Sequence, residues 1–158
     1  MDKRYQVFVS STYEDLKEER QGATEAVLRA KCFPVGMERF PAGKKMLDYI
    51  KKLIEESDIY LLIVGGRYGT PMGLGEKELD ECTEDDLKDK ISYTEWEYNI
   101  AHEQGLPILA HFHKNPRKLL ADQVERYPVL TKKLESFKRK VESDEEGGRS
   151  RELWTTRD

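Results

Sequence analysis

The sequence predicts an α/β fold, a three-layer, flavodoxin-like sandwich around a central parallel sheet of about five strands. Three observations carry this expectation. Short apolar runs alternate with helical stretches along the chain. The run IYLLIVGG (59–66) is apolar without alternation, as expected of a parallel strand covered on both faces. The length, 158 residues, suits a single domain with a substantial core.

The elements follow in order. YQVFVSS (5–11) reads as the first strand. A helix follows over about Tyr13 to Ala30, with Ser11-x-x-Glu14 as a capping box and Leu16, Ala23, Ala26 and Val27 as its apolar stripe. CFPVGM (32–37) is a short second strand. AGKKMLDYIKKLIEESD (42–58) is an amphipathic helix with Met46, Leu47, Ile50, Leu53 and Ile54 on one face. IYLLIVGG is the third strand, and residues 67–90 read as a long loop rich in glycine, acids and lysine. The helix of SYTEWEYNIAHEQG spans about Thr94 to Glu103 and stops at Gly105. LPILAHF (106–112) is the fourth strand. A charged helix is expected over about Arg117 to Val141, a linker over 143–150, and a last strand over 151–156. The core is thus expected within 5–142, and the whole chain is expected to form the N-terminal part of a larger protein.

Composition narrows the function classes. Charged residues make up 37% of the chain and apolar ones 37%, and no run of about 18 apolar residues exists to span a membrane. The first residues, MDKRYQVFVSS, lead into a strand without a signal-peptide apolar stretch, so a cytoplasmic location is the default. Net charge is -4, which argues against a nucleic-acid partner. Cys32 and Cys82 stand far apart in unlike surroundings, which suits a reducing compartment. His102, His111 and His113 lack the spacing of a metal site, and no metal or cofactor is expected.

In an open α/β sheet, ligands sit beyond the carboxyl ends of the strands. That rule selects Ser10, Ser11 and Thr12 after the first strand, Glu38 after the second, Gly65, Gly66, Arg67, Tyr68 and Gly69 after the third, and the loop after Phe112. Ser92 to Glu97 open the next helix on the same rim. The three hydroxyls suit an anion at a helix start or simple capping. The glycines around Arg67 suit close approach to a phosphate, or a turn that needs positive φ. Asp15 and Arg20 fall on the first helix and read as structural or solvated.

Two carboxylates flank Trp96, and helical geometry separates them. Residues two apart point about 200° apart, so Glu95 and Glu97 cannot serve one pocket. Three and four residues beyond Glu97 stand Ile100 and Ala101, which turn Glu97 toward the sheet. Beyond Glu95 stand Tyr98 and Asn99, and Ser92-x-x-Glu95 has capping-box spacing. Glu97 is therefore the candidate catalytic group, with macrodipole stabilisation as the plainer explanation.

Four stretches in order, VFVSSTYEDLKEER, PVGMERF, SDIYLLIVGGRYG and SYTEWEYNIAHEQGLPIL, resemble a TIR-like domain family. Its members often stand at the N-terminus of large STAND-type NTPases. The resemblance covers about residues 5–113. It implies kinship with TIR domains and, more distantly, with nucleoside deoxyribosyltransferases. Both carry a glutamate that acts on a sugar carbon during N-glycosidic cleavage, often with an alanine four residues later. Glu97 and Ala101 match that spacing. TIR enzymes also carry a tryptophan-cysteine pair somewhat upstream, whereas Trp96 here has no cysteine beside it. The resemblance implies an effector or signalling domain, of the kind used in antiphage defence or innate-immune-type signalling. Its expected activity is NAD glycohydrolysis on self-association, with NAD as substrate rather than cofactor. Ser10 to Thr12, Gly65 to Gly69 and Ser92 would then hold the nucleotide, and Tyr68 or Trp96 would stack on a base. The alternatives are a non-catalytic self-association module and a deoxyribosyltransferase using the same Glu97.

Overall fold

The computed structural model describes residues 4–12, 15–36, 44–113, 119, 125–145 and 150–154; the side chains of Lys44, Glu76, Lys77, Glu145 and residues 150–154 lie outside the description. In chain order the elements are β1 (Gln6–Ser11), α1 (Lys17–Arg29), β2 (Phe33–Val35), α2 (Lys44–Glu55), β3 (Ile59–Val64), α3 (Glu76–Glu81), α4 (Glu84–Leu87), α5 (Tyr93–Glu103), β4 (Ile108–His113), α6 (Pro128–Glu145) and β5 (Ser150–Trp154). The fold is α/β. Its strands lie in the order β2-β1-β3-β4-β5, and each neighbouring pair is parallel. Among the described side chains the cores draw on the helix-flanked strands β2, β1, β3 and β4; β5 adds backbone pairing along the outer side of β4.

Side-chain alternation sorts these strands into two cores. Val7, Val9, Leu61 and Ile63 face one side and pack with Leu16 and Val27, the residues that lead into and line α1. Phe8, Tyr60, Leu62, Val64, Ala110 and Phe112 face the other side. There they meet Ile54 of α2, Ile100 and Ala101 of α5, and Leu130, Leu134, Phe137 and Val141 of α6. An aromatic ladder ties this side together. Phe8 stacks on Tyr60 at 5.8 Å between centroids, Tyr60 meets the edge of Tyr98 at 6.2 Å, and Tyr98 meets Phe137 at 5.5 Å. Gly36 closes β2 at φ 81°, where an added Cβ would fall 2.6 Å from the Phe8 ring. Only glycine fits there.

Several boundaries differ from expectation. The first helix starts at Lys17, not near Tyr13: Asp15 and Leu16 form a turn that drops Leu16 into the core, 3% exposed. Glu14, the expected capping partner of Ser11, lies outside the described residues, as do Glu38 and residues 114–118. The expected loop of 67–90 contains two short helices. Leu79 and Leu87 anchor them in the core, and Thr83 caps the second through a box with Asp86, donating its N–H to Asp86 Oδ2 at 2.8 Å and accepting from Asp86 N at 3.3 Å. The last helix starts at Pro128 rather than Arg117. Proline lacks the amide that an interior position needs and is accepted at a first turn. That helix continues through Ser143 to Glu145, into the expected linker; the last strand is Ser150–Trp154, and 155–156 lie outside the described residues. Among the described residues no helix is long and apolar enough to cross a membrane.

Candidate functional site

The chain leaves β1 through α1 to reach β2 on one side, and leaves β3 toward β4 on the other. The topological switch point therefore lies between β1 and β3, where doubly wound sheets open a crevice at their carboxyl edge. The register pairs Ser10 with Leu62 and Ser11 with Ile63, so the ends of the two strands are level. Ser10, Thr12, Gly65 and the N-terminal part of α5 meet at this edge.

Glu97 sits on the first turns of α5 and points at the end of β1. Its Oε1 accepts a hydrogen bond from Ser10 Oγ at 2.8 Å. Ser10 is buried, 1% exposed, while Glu97 as a residue keeps intermediate exposure. Burial of the carboxyl pushes its pKa up to about 8, partly opposed by the Ser10 hydroxyl. The Tyr60 hydroxyl belongs to the same surroundings. It is buried, makes no well-formed hydrogen bond among the described residues, and has its pKa raised by burial and then by the Glu97 charge, partly opposed by the nearby Ser10 hydroxyl. A carboxyl so placed, enclosed yet reachable, has no cation paired with it among the contacts described. It can hold a proton at neutral pH or carry a charge for which a bound cation would be the first partner.

Glu95 faces away, as helical geometry requires. Its Oε1 accepts from the Tyr68 hydroxyl at 2.7 Å, and its Oε2 pairs with Lys140 Nζ of α6 at 3.4 Å. The expected capping box is therefore half formed. Ser92 Oγ caps α5 by accepting from Glu95 N at 3.1 Å, but the Glu95 carboxylate does not return to Ser92 N. The Tyr68 hydroxyl does so in its place, accepting from Ser92 N at 3.2 Å. The box is relayed through a phenol, and both arms of the relay span long sequence distances, which spacing rules do not detect. Tyr68 is 1% exposed and Ser92 is fully buried, and the hydrogen bonds of both go to the start of α5. Burial and the bond to Glu95 raise the Tyr68 pKa. Trp96 packs half-buried against the larger core.

The glycine-rich loop is held from behind by a residue that sequence reading missed. Glu125 donates its N–H to Gly66 O at 2.8 Å and accepts from Tyr68 N at 3.1 Å through Oε2. Gly69 has φ 99°, and a Cβ there would stand 3.0 Å from Thr12 Cγ2, so the loop lies directly against the end of β1. Arg67 is half-buried.

Ser11 faces the α1 side and does not join Glu97. Its hydroxyl donates to Thr12 O at 3.0 Å. Arg20, buried on α1, donates to the same carbonyl at 2.7 Å and reaches Ser11 Oγ at 3.5 Å. Arg20 thus fixes the turn that follows β1. Because α1 begins only at Lys17, Ser10 to Thr12 do not stand at its N-terminus, and the anion site expected there is not assembled by the helix.

Residues 6–157 match the family described as "Domain of unknown function (DUF4062)". No curated protein matches the chain.

Proposed function

The chain belongs to this DUF4062 family, and we propose that it is a TIR-like domain that cleaves the N-glycosidic bond of NAD or a related nucleotide when copies of it are brought together. The observation that carries this reading is Glu97: a carboxyl at the β1/β3 switch point, held by Ser10 and with a pKa pushed up to about 8. The resemblance of the motifs around Ser10, Gly65 and Glu97 to TIR-like sequences supports the substrate class. Antiphage or innate-immune-type signalling as its setting, and self-association as its trigger, follow from that resemblance.

The chemistry suits a cationic substrate. In the free chain Glu97 is mostly protonated at neutral pH. A pyridinium bound against it favours the ionised form, so binding itself generates the carboxylate. The bond from the ribose anomeric carbon to the ring nitrogen then breaks, and its electron pair leaves with neutral nicotinamide. Ionised Glu97 stabilises the oxocarbenium-like centre or adds to it, and water completes the hydrolysis, losing one proton.

The test is NAD consumption by the chain fused to an oligomerising scaffold, wild type beside Glu97→Gln. Loss of NAD with the wild type alone is the expected result. Equal turnover by both would remove Glu97 from the chemistry. No turnover by either, with nucleosides also untouched, would move the reading to a self-association module.

A further inference from the structure

The turn after β1 holds two buried polar side chains that the described fold leaves without a well-formed hydrogen bond. Asp15 is 8% exposed and Thr12 9% exposed. Among the described residues, no well-formed hydrogen bond satisfies either oxygen of the Asp15 carboxylate or the Thr12 hydroxyl, although the Thr12 side chain and the Asp15 amide lie close enough to favour the ionised carboxyl. An unpaired buried acceptor costs roughly 1–3 kcal/mol, and a charged one more. Helix capping does not account for Asp15. α1 begins at Lys17 with Leu16 at its N-cap position, and no side chain caps it. The neighbouring Arg20 directs one nitrogen to Thr12 O and Ser11 Oγ, not to the Asp15 carboxylate.

The surroundings define what such a pair would receive. Asp15 borders the end of β3: a Cβ added at Gly65 would lie 3.7 Å from Asp15 Oδ2 and 3.0 Å from Leu16 Cδ2. Thr12 borders Gly69. Arg67 stands near enough for its charge to favour ionised Asp15, against the larger effect of burial. A carboxylate is an acceptor with two oxygens, and a threonine hydroxyl both donates and accepts. This set takes adjacent hydroxyl donors and repels a phosphate. Acidic side chains read ribose hydroxyls in the same way at other nucleotide crevices of doubly wound sheets.

We propose that Asp15 and Thr12 form a ribose-diol subsite at the β1/β3 crevice, binding the 2′- and 3′-hydroxyls of a ribonucleotide and excluding phosphate from that position. The proposal rests on the reading of the crevice as a nucleotide site and deepens it. It makes the substrate a ribo- rather than a deoxyribo-compound, which sets this chain apart from a deoxyribosyltransferase. Phosphates then belong on the Arg67 side of the glycine-rich loop.

Calorimetric titration of the chain with nicotinamide riboside and with its 2′-deoxy analogue tests this, because each probe has a single sugar and no phosphate. The wild type is expected to bind the ribo-compound about tenfold or more tightly, in line with the loss of a hydrogen bond to a charged group. Asp15→Asn is expected to bring the two affinities within about twofold while raising the melting temperature of the ligand-free chain, since an unpaired buried charge is removed. Thr12→Val repeats the comparison should the first variant fail to fold. An unchanged ribo-to-deoxy ratio in the variants overturns the subsite even if Glu97-dependent NAD cleavage is observed. No binding of either probe to the wild type also overturns it. A ratio that collapses in the variants, in a chain that never consumes NAD, sustains the subsite and removes the glycohydrolase instead.

Discussion

At the scale of single residues, Glu97 makes the site measurable through pH. Its carboxyl is raised from 4.5 to about 8 by burial. The folded chain therefore binds more protons than the unfolded one between those values, and stability falls as pH rises through that window, then levels off. Glu97→Gln has no charge to desolvate. Its unfolding free energy, measured by urea titration from pH 5 to 9, is expected to match the wild type near pH 5 and to exceed it above pH 8, by a margin on the order of a few kcal/mol. A constant difference across the range would mean that Glu97 titrates as an ordinary surface acid. Legibility in the sequence divides at this scale too. Glu97 was readable because Ile100 and Ala101 follow it at helical spacing and must face the sheet. Asp15 was not, because an acid in the first turn of a helix is ordinary, and only the late start of α1 moves it into a buried turn.

Elements show which rules of sequence reading are local and which are not. The strands β1, β3 and β4 and the amphipathic α2 and α5 were legible because each announces itself by its own periodicity. The two short helices before α5 were not: they depend on single anchors, Leu79 and Leu87, and on caps that only one turn satisfies. The start of α5 likewise depends on a tyrosine from another loop. Tyr68 accepts from Ser92 N and donates to Glu95, completing in three dimensions a box that spacing placed within the helix. Tyr68→Phe keeps the ring in the core and leaves a buried N–H unpaired. The variant is expected to lose about 1–3 kcal/mol in urea unfolding. Because the same helix end carries Glu97, any NAD turnover should fall with it. A loss under about 0.5 kcal/mol would show that Ser92 N finds another acceptor and that the phenol does not position α5.

For the whole molecule, the proposed function makes this architecture a linkage between ligand charge and proton release. The strand order brings β1 and β3 together, and the crossovers on opposite sides leave their carboxyl ends open to one another. A buried acid at that opening discriminates by charge before any bond breaks. With its pKa pushed up to about 8, Glu97 is mostly protonated at pH 7. A cationic pyridinium nucleoside that binds beside it must displace most of that proton, whereas a neutral nucleoside such as adenosine has no reason to do so. Calorimetric titrations at pH 7 in buffers of different ionisation enthalpy read the difference directly. Nicotinamide riboside is expected to release close to one proton on binding, Glu97→Gln to release none, and adenosine to release none with either chain. The stabilisation that the cation confers should accordingly grow as pH rises toward 8 and then stop growing. Equal release with the cation and with adenosine would place the proton elsewhere in the molecule and would separate Glu97 from ligand charge altogether.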